Sequence, residues 1–296
     1  MIELVQKYNL EGQGHQGPVN VIKYDLSGEY CLSGGSDRTI ILWKPSTNKQ
    51  IKQYQKVHNY EVTDLQIFKD NSRFISCSAD KNIFIWDTKT GNIIRKIQGH
   101  SYKVNSICMN SDESVIVSGS FDTCVKIWDL KSRSNFPIQS IKVSKDSISK
   151  VIVEDHNILI SSIDGNVYNL DIRMGLLSQD NFNSGIQNLA MSHDKQTYIA
   201  SSLKSTIYLV DRNDGDIMQQ YSGHKTSQYH TAIQYYWGDQ SGSEDGYLFL
   251  YDFTKGTILS KIKNNNKSIS TIAMCPDKKT FLTGSLDSKI TYWDIK

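Results

Sequence analysis

Apolar residues in this chain come in short bursts, and one pattern recurs six times at offsets i, i+3 and i+5. The residues are Val19, Ile22 and Tyr24; Val62, Leu65 and Ile67; Val104, Ile107 and Met109. They continue with Ile148, Val151 and Val153; Ile186, Leu189 and Met191; and Ile269, Ile272 and Met274. A regular strand repeats every second residue, so the extra residue predicts a β-bulge early in each strand, re-aiming one side chain. The stretch GHKTSQYHTAIQYYWG (223–238) breaks the pattern, and no bulge can be placed there.

Each burst opens a longer unit, best seen in GHSYKVNSICMNSDESVIVSGSFDTCVKIWD (99–129), which starts with Gly-His, ends with Trp-Asp and carries three alternating runs broken by turn residues. The residue before the closing aspartate, or its equivalent, falls at Trp43, Trp86, Trp128, Leu170, Val210, Tyr251 and Trp293. The intervals are 43, 42, 42, 40, 41 and 42 residues. A period of about 40–45 residues with four short strands per unit is that of a β-propeller blade. The expectation is an all-β, seven-bladed propeller forming a single domain over 1–296. Its blades lie near 14–54, 57–97, 99–142, 143–182, 184–221, 223–263 and 264–296.

The two ends explain each other. Internal units continue past Trp-Asp into a turn and a fourth strand, as in TKTGNIIRKIQGH (88–100), but only Ile295 and Lys296 follow Asp294. Residues 2–10 have the pattern of the missing strand. They are expected to supply the outer strand of blade seven and so pair an otherwise open edge.

Four units carry a polar set at nearly constant spacing: His15, Ser33, Asp37 and Trp43; His58, Ser76, Asp80 and Trp86; His100, Ser118, Asp122 and Trp128; His224, Ser241, Asp245 and Tyr251. Ser, His and Asp invite a hydrolase reading, but a catalytic triad occurs once, in a cleft. A set repeated four times reads instead as a hydrogen-bond network inside each blade, with the indole or phenol as end donor. Units four and five lose the histidine and the aromatic together, as members of one network would. Gly12-Gln13-Gly14-His15-Gln16-Gly17 matches G-x-G-x-x-G, yet a proline and a strand follow it where a dinucleotide site needs a helix.

Composition adds exclusions. A net charge of +2 gives no global field toward nucleic acid or lipid, and no apolar run approaches the 18 residues of a membrane span. The basic stretches 131–134 and 261–267 lack interleaved aromatics, so no direct specific nucleic-acid binding is expected. Five cysteines without a C-x-x-C pair read as reduced core residues of a nuclear or cytosolic protein. No signal peptide is recognisable, so the sequon at Asn266 is expected to be unused. No catalytic residue, metal site or cofactor is expected.

Function is then expected at one mouth of the channel. Residues beside the bulge and just before the turn aspartate should crowd there: Tyr60, Tyr102, Phe121, Ile163, Leu203, Glu244 and Leu286. Tyr229 lies in a loop that widens the mouth at blade six. Exposed aromatic anchors are typical of protein-binding hot spots; the alternative is that these side chains merely plug the opening.

The Gly-His to Trp-Asp units with S-G-S-x-D turns resemble the WD-repeat family. A narrower resemblance is carried by YCLSGGSDRTIILW (30–43), SGSFD (118–122), DLKSRS (129–134), DGNVYNLDIRMG (164–175), SSLKSTIYLVD (201–211) and GHKTSQY (223–229). These look like the mitogen-activated protein kinase organiser family of single-propeller proteins, with Lys204 departing from an expected aspartate. The resemblance implies a non-catalytic scaffold in cytoplasm and nucleus, binding splicing factors or kinase-cascade components as a monomeric ring. Pre-mRNA splicing ranks first. An adaptor subunit of a chromatin-modifying or ubiquitin-ligase complex is the rival reading, and a propeller enzyme is disfavoured.

Overall fold

The computed structural model describes the chain outside residues 1–3, 11–13, 56–57, 133, 227–232, 237, 265–266 and 296; at 235–236 and 238–240 it describes backbone alone. The described residues form seven four-stranded antiparallel sheets and one 3-10 turn, Pro45–Thr47. Each sheet is one blade of a seven-bladed propeller. Inner strands run at Val19–Tyr24, Val62–Ile67, Val104–Met109, Ile148–Glu154, Ile186–Met191, Ile233–Tyr236 and Ile269–Met274.

The expected bulges are present. Six inner strands shift register after their first residue, between Val19 and Val21, Val62 and Asp64, Val104 and Ser106, Ile148 and Lys150, Ile186 and Asn188, and Ile269 and Thr271. The sixth blade has a four-residue inner strand, paired without a shift from Ile233 to Tyr236.

The core lies between blades, not inside them. A four-stranded sheet is one layer thick, so both faces must find a neighbour. Seven apolar clusters meet that need, one at each junction. Leu32, Ile40 and Tyr54 of blade one, for example, pack on Leu65, Phe74 and Trp86 of blade two. Ala273, Leu282 and Ile290 of blade seven pack on Ile22, Ile41 and Trp43 of blade one. The glycine of the S-G-S turns serves this closeness: a Cβ at Gly119 would stand 2.5 Å from Cγ2 of Ile148 in the next blade.

Ring closure follows the expected route. Leu4–Asn9 pairs antiparallel with Ile290–Ile295, with Leu4 opposite Ile295 and Asn9 opposite Thr291. The rings of Tyr8 and Tyr292 stack at 5.1 Å, and Lys7 reaches Asp294 at 2.9 Å. Leu4 is buried beside Phe281 and Trp293, while the Tyr8 hydroxyl donates to the Pro45 carbonyl of blade one at 2.7 Å. The N-terminal strand thus touches both blades at the seam.

All five cysteines are free thiols. Cys31, Cys77 and Cys275 are buried, but Cys108 and Cys124 are only half-buried, so the core reading holds for three. No helix among the described residues is long and apolar enough to cross a membrane. Deleting residues 1–10 strips a strand from the seam and exposes Phe281 and Trp293. The thermal midpoint is expected to fall by at least about 5 °C; a melt unchanged by the deletion contradicts this account of closure.

Candidate functional site

In the first three blades the repeated polar residues form one chain of bonds. The Trp43 indole N–H donates to Ser33 Oγ at 2.8 Å, and Ser33 Oγ lies 2.7 Å from Nε2 of His15. Nδ1 of His15 lies 3.0 Å from an Asp37 carboxylate oxygen. The same three distances are 2.8, 2.7 and 3.0 Å in blade two and 2.8, 2.7 and 2.9 Å in blade three. Because the ionised aspartate can only accept, the proton of the neutral imidazole lies on Nδ1, and Nε2 accepts from the serine hydroxyl, whose oxygen also accepts the indole N–H. Each aspartate also accepts the backbone N–H that follows its histidine, at 2.9, 3.0 and 2.9 Å. Burial would raise the pKa of Asp37, but the His15 bond and charge, Thr39 and the Gln16 N–H together lower it to about 2. Asp122 is held at about 2 in the same way by His100 and two backbone N–H groups.

The three serines are 0% exposed, out of reach of any substrate. They are structural. A nucleophile must touch what it attacks.

Blade six does not follow the expectation. His224 Nδ1 contacts the Tyr251 hydroxyl at 3.1 Å directly, Ser241 donates to the Gly242 carbonyl, and Asp245 accepts the Tyr247 N–H. Among the described residues no hydrogen bond joins His224 to Ser241 or Asp245, and its Nε2 is buried without a partner. The physical reason is the phenol: its oxygen both donates and accepts, so it can meet the imidazole without a serine between them. Burial lowers the His224 pKa to about 4, with Asp245 opposing.

Two blades rebuild the network with partners not singled out in the sequence: Thr283 and Asn264 in blade seven, Tyr168 in blade four. In blade seven Trp293 donates to Thr283 Oγ1 at 3.0 Å, and Asn264, one position before the histidine register, donates to the same oxygen at 2.6 Å. In blade four Tyr168 donates to Asp164 at 2.9 Å. At Lys204 the link reverses polarity: its ammonium donates to the Asn183 carbonyl at 2.9 Å, where the aspartates elsewhere accept an N–H. The turn itself survives, with Ser205 at φ 59° beside 67° for Thr123.

The mouth is assembled by a second repeated bond. The residue before each turn aspartate donates its N–H to a carbonyl at the entry of the inner strand, at 2.8–3.0 Å: Ser36 to Pro18, Ala79 to Glu61, Phe121 to Lys103, Ile163 to Ser147, Leu203 to Gly185 and Leu286 to Ser268. Blade six again differs, Glu244 bonding to Lys225. The two groups of predicted rim residues therefore meet at one end of the ring.

The rim is uneven. Tyr60, Tyr102 and Phe121 are 62%, 57% and 50% exposed, whereas Ile163, Leu203, Glu244 and Leu286 are half-buried. The Tyr102 and Phe121 rings lie 6.0 Å apart, with the Lys81 ammonium 5.6 Å from the Tyr102 ring. Blades two and three thus carry an aromatic arc; Tyr229 lies outside the described residues.

Below the rim runs a polar girdle that the sequence reading missed. The bulge's extra residue sends its side chain to the next blade's first inner carbonyl: Asn20 to Val62 at 2.9 Å, and Thr63 to Val104, Asn105 to Ile148 and Ser149 to Ile186 each at 2.6 Å. Ser270 of blade seven bonds in the same way to Val19 of blade one. The signal was a polar residue at this offset in six units: Asn20, Thr63, Asn105, Ser149, Gln187 and Ser270. Among the described residues no group of three or more His, Cys, Asp or Glu side chains could hold a metal.

Known proteins share this repeat. The family description "WD domain, G-beta repeat" matches residues 4–44, 48–87, 91–129 and 256–294. The chain belongs to the WD-repeat family. The first matched segment begins on the strand that completes blade seven, so the sequence repeat is offset from the blade by one strand. The matches omit 130–255, which contains the rewired blades four to six.

The chain is 33% identical to "WD repeat domain-containing protein 83 homolog" of Dictyostelium discoideum, over 95% of both chains. It is 39% identical to "WD repeat domain-containing protein 83" of Rattus norvegicus, over 94% of this chain and 89% of the relative. A partial match, 39% identical over 31% of this chain and 27% of the relative, is to "Pre-mRNA-splicing factor cwf17" of Schizosaccharomyces pombe.

Two measurements check the network. His100→Ala strands the buried Ser118 hydroxyl and the Asp122 carboxylate and should cost about 1–3 kcal/mol in denaturant unfolding. The second is pH dependence. His224 folds with a pKa near 4 against its ordinary 6.5, so the unfolded chain binds the extra proton between these values. Stability from His224 is complete above pH 6.5 and drains as pH falls toward 4. The difference between wild type and His224→Gln should narrow across that window. Asp37 and Asp122, with pKa near 2 against 3.8, contribute above pH 4 and lose their contribution only as pH falls from there toward 2.

Proposed function

We propose that the chain is a non-catalytic scaffold that binds proteins through the aromatic arc at the mouth of its ring. The observation that carries the reading is the contrast between two sets of repeated residues. The His, Ser, Asp and Trp sets of blades one to three are consumed in buried bonds, while Tyr60, Tyr102 and Phe121 stay half or more exposed beside a polar opening. Large aromatics held out to solvent on a rigid frame are what an interface hot spot needs, since they offer area with little entropy to lose.

The partners proposed first are pre-mRNA splicing factors, supported by the name of the partial relative, a pre-mRNA-splicing factor, and by the resemblance to the organiser family. Kinase-cascade components are the second class, on that same resemblance. The protein is proposed to act as a monomeric ring within larger complexes, in nucleus and cytoplasm.

Affinity purification from nuclear and cytosolic extracts tests this, with wild type and Tyr102→Glu side by side. Splicing factors are expected with wild type and should be lost with the variant, whose melt should stay within about 2 °C because the side chain is exposed. Kinases without splicing factors would select the second class. Cullins or histone modifiers would reject both, and partners that survive the substitution would move the site away from the mouth.

A further inference from the structure

One end of the ring carries the mouth; the other carries the turns that join the first and second strands of each blade. Five of these turns share one backbone scheme. Asp25, Phe68, Asn110, Ser192 and Cys275 each donate an N–H to the carbonyl five residues on and accept the N–H three residues on. Their side chains can then be compared directly. Asn110 Oδ1 accepts the Val115 N–H at 2.9 Å, Ser192 Oγ the Thr197 N–H at 3.1 Å, and Asp25 Oδ1 the Tyr30 N–H at 3.1 Å. A neutral oxygen is enough for this bond. The carboxylate charge of Asp25 has no use in the turn.

Blade one also differs in packing. Phe68, the counterpart of Asp25 in blade two, is 1% exposed within the cluster shared with blade three. The shorter Asp25 instead borders a cavity of about 220 Å³ between blades one and two. Leu32 and Leu42 of blade one and Ile67 of blade two give it an apolar wall, while Asp25, Asn71 and Thr88 add polar atoms.

Two of those polar groups lack a partner that their chemistry calls for. Asp25 is 3% exposed, and its carboxylate accepts from Ser27, from Asn71 at 2.9 Å and from the Tyr30 N–H, all of them neutral donors. No ion pair among the described residues reaches it: Lys44 pairs with Glu29 at 3.6 Å, and Lys52 donates to the Lys89 carbonyl at 2.6 Å. A buried carboxylate without a cation is costly. Thr88 Oγ1 is likewise buried with no hydrogen-bond partner among the described residues.

The occupant follows from what is left over. Oδ2 of Asp25 takes two of the three bonds and Oδ1 takes one, so Oδ1 keeps a single acceptor position. One position suits the point charge of an ammonium, whereas a guanidinium asks for both oxygens. The cavity is smaller than the roughly 300 Å³ at which drug-sized sites begin, and it suits one aliphatic stem.

We propose that this cavity receives a lysine side chain of a partner protein. The stem lies against Leu32, Leu42 and Ile67, and the ammonium donates to Asp25 Oδ1 and Thr88 Oγ1. The site is at the end of the ring opposite the aromatic arc and does not depend on what the arc binds.

The test is an NMR titration of the full chain with Nα-acetyl-lysine N-methylamide, read at the Tyr30 backbone amide and the Asn71 side-chain amide. Both resonances are expected to shift and saturate. Asp25→Asn, which keeps a turn oxygen as Asn110 does, should bind about tenfold more weakly. Thr88→Val removes the unpartnered hydroxyl and keeps the shape; it should bind about threefold more weakly, and it carries the test alone should Asp25→Asn fail to fold. The same probe acetylated at Nε should leave both resonances in place. No saturable shift in wild type, undiminished binding by either variant, or equal binding of the acetylated probe each overturns the proposal. Binding of n-butylammonium more than about tenfold tighter than the lysine probe also overturns it, by making a free amine the occupant.

Discussion

The ring depends on one constraint: a single-layer sheet has two apolar faces and no interior. Every blade must therefore be covered on both sides, and a linear stack would leave two faces in water. Closing the stack into a circle removes both ends at once. Seven junction clusters are the result, and the one between blades seven and one exists only because the chain's two ends share a sheet. Leu4–Asn9 is a short strand with one buried side chain, yet it joins residues nearly three hundred apart in sequence.

Inside this frame, polar side chains secure what apolar packing leaves free to slide. The bond from tryptophan through serine and histidine to aspartate fixes the strands of a blade against its loops. The bonds from Asn20, Thr63, Asn105, Ser149 and Ser270 fix five of the inner strands against the next. The blades that lack a histidine show that the requirement is geometric. Asn264 and Tyr168 supply donors from other positions, and Lys204 makes its link with the charge reversed. Blade six, where the phenol bypasses the serine, leaves one imidazole nitrogen without a partner among the described residues.

Surface and channel divide the chemistry between them. The aromatics of blades two and three are placed at the mouth by the bonds from Phe121 to Lys103 and from Ala79 to Glu61, backbone contacts indifferent to side chain. Any residue that keeps its backbone N–H could make those bonds. That freedom is what lets a repeated frame carry a particular binding surface.

How much could be read beforehand divides along the same physical line. Blade number, bulge positions and the route of closure were legible because they are periodic, local or terminal, and period and offset survive in a linear string. The networks of blades one to three were legible because the same residue types recur at constant spacing. The replacements by Asn264 and Tyr168 were not, since they lie at other offsets and only the folded sheet brings Asn264 to the Thr283 hydroxyl and Tyr168 to the Asp164 carboxylate. The meeting of Asp64 and Lys150, 86 positions apart across an intervening blade, leaves no trace in spacing. Sequence alone determined that there is a ring of seven blades and which polar residues hold three of them. Only the tertiary structure decided which rim residues stay exposed and which charges share the channel, because those depend on the distances between blades and not on the order of residues within one.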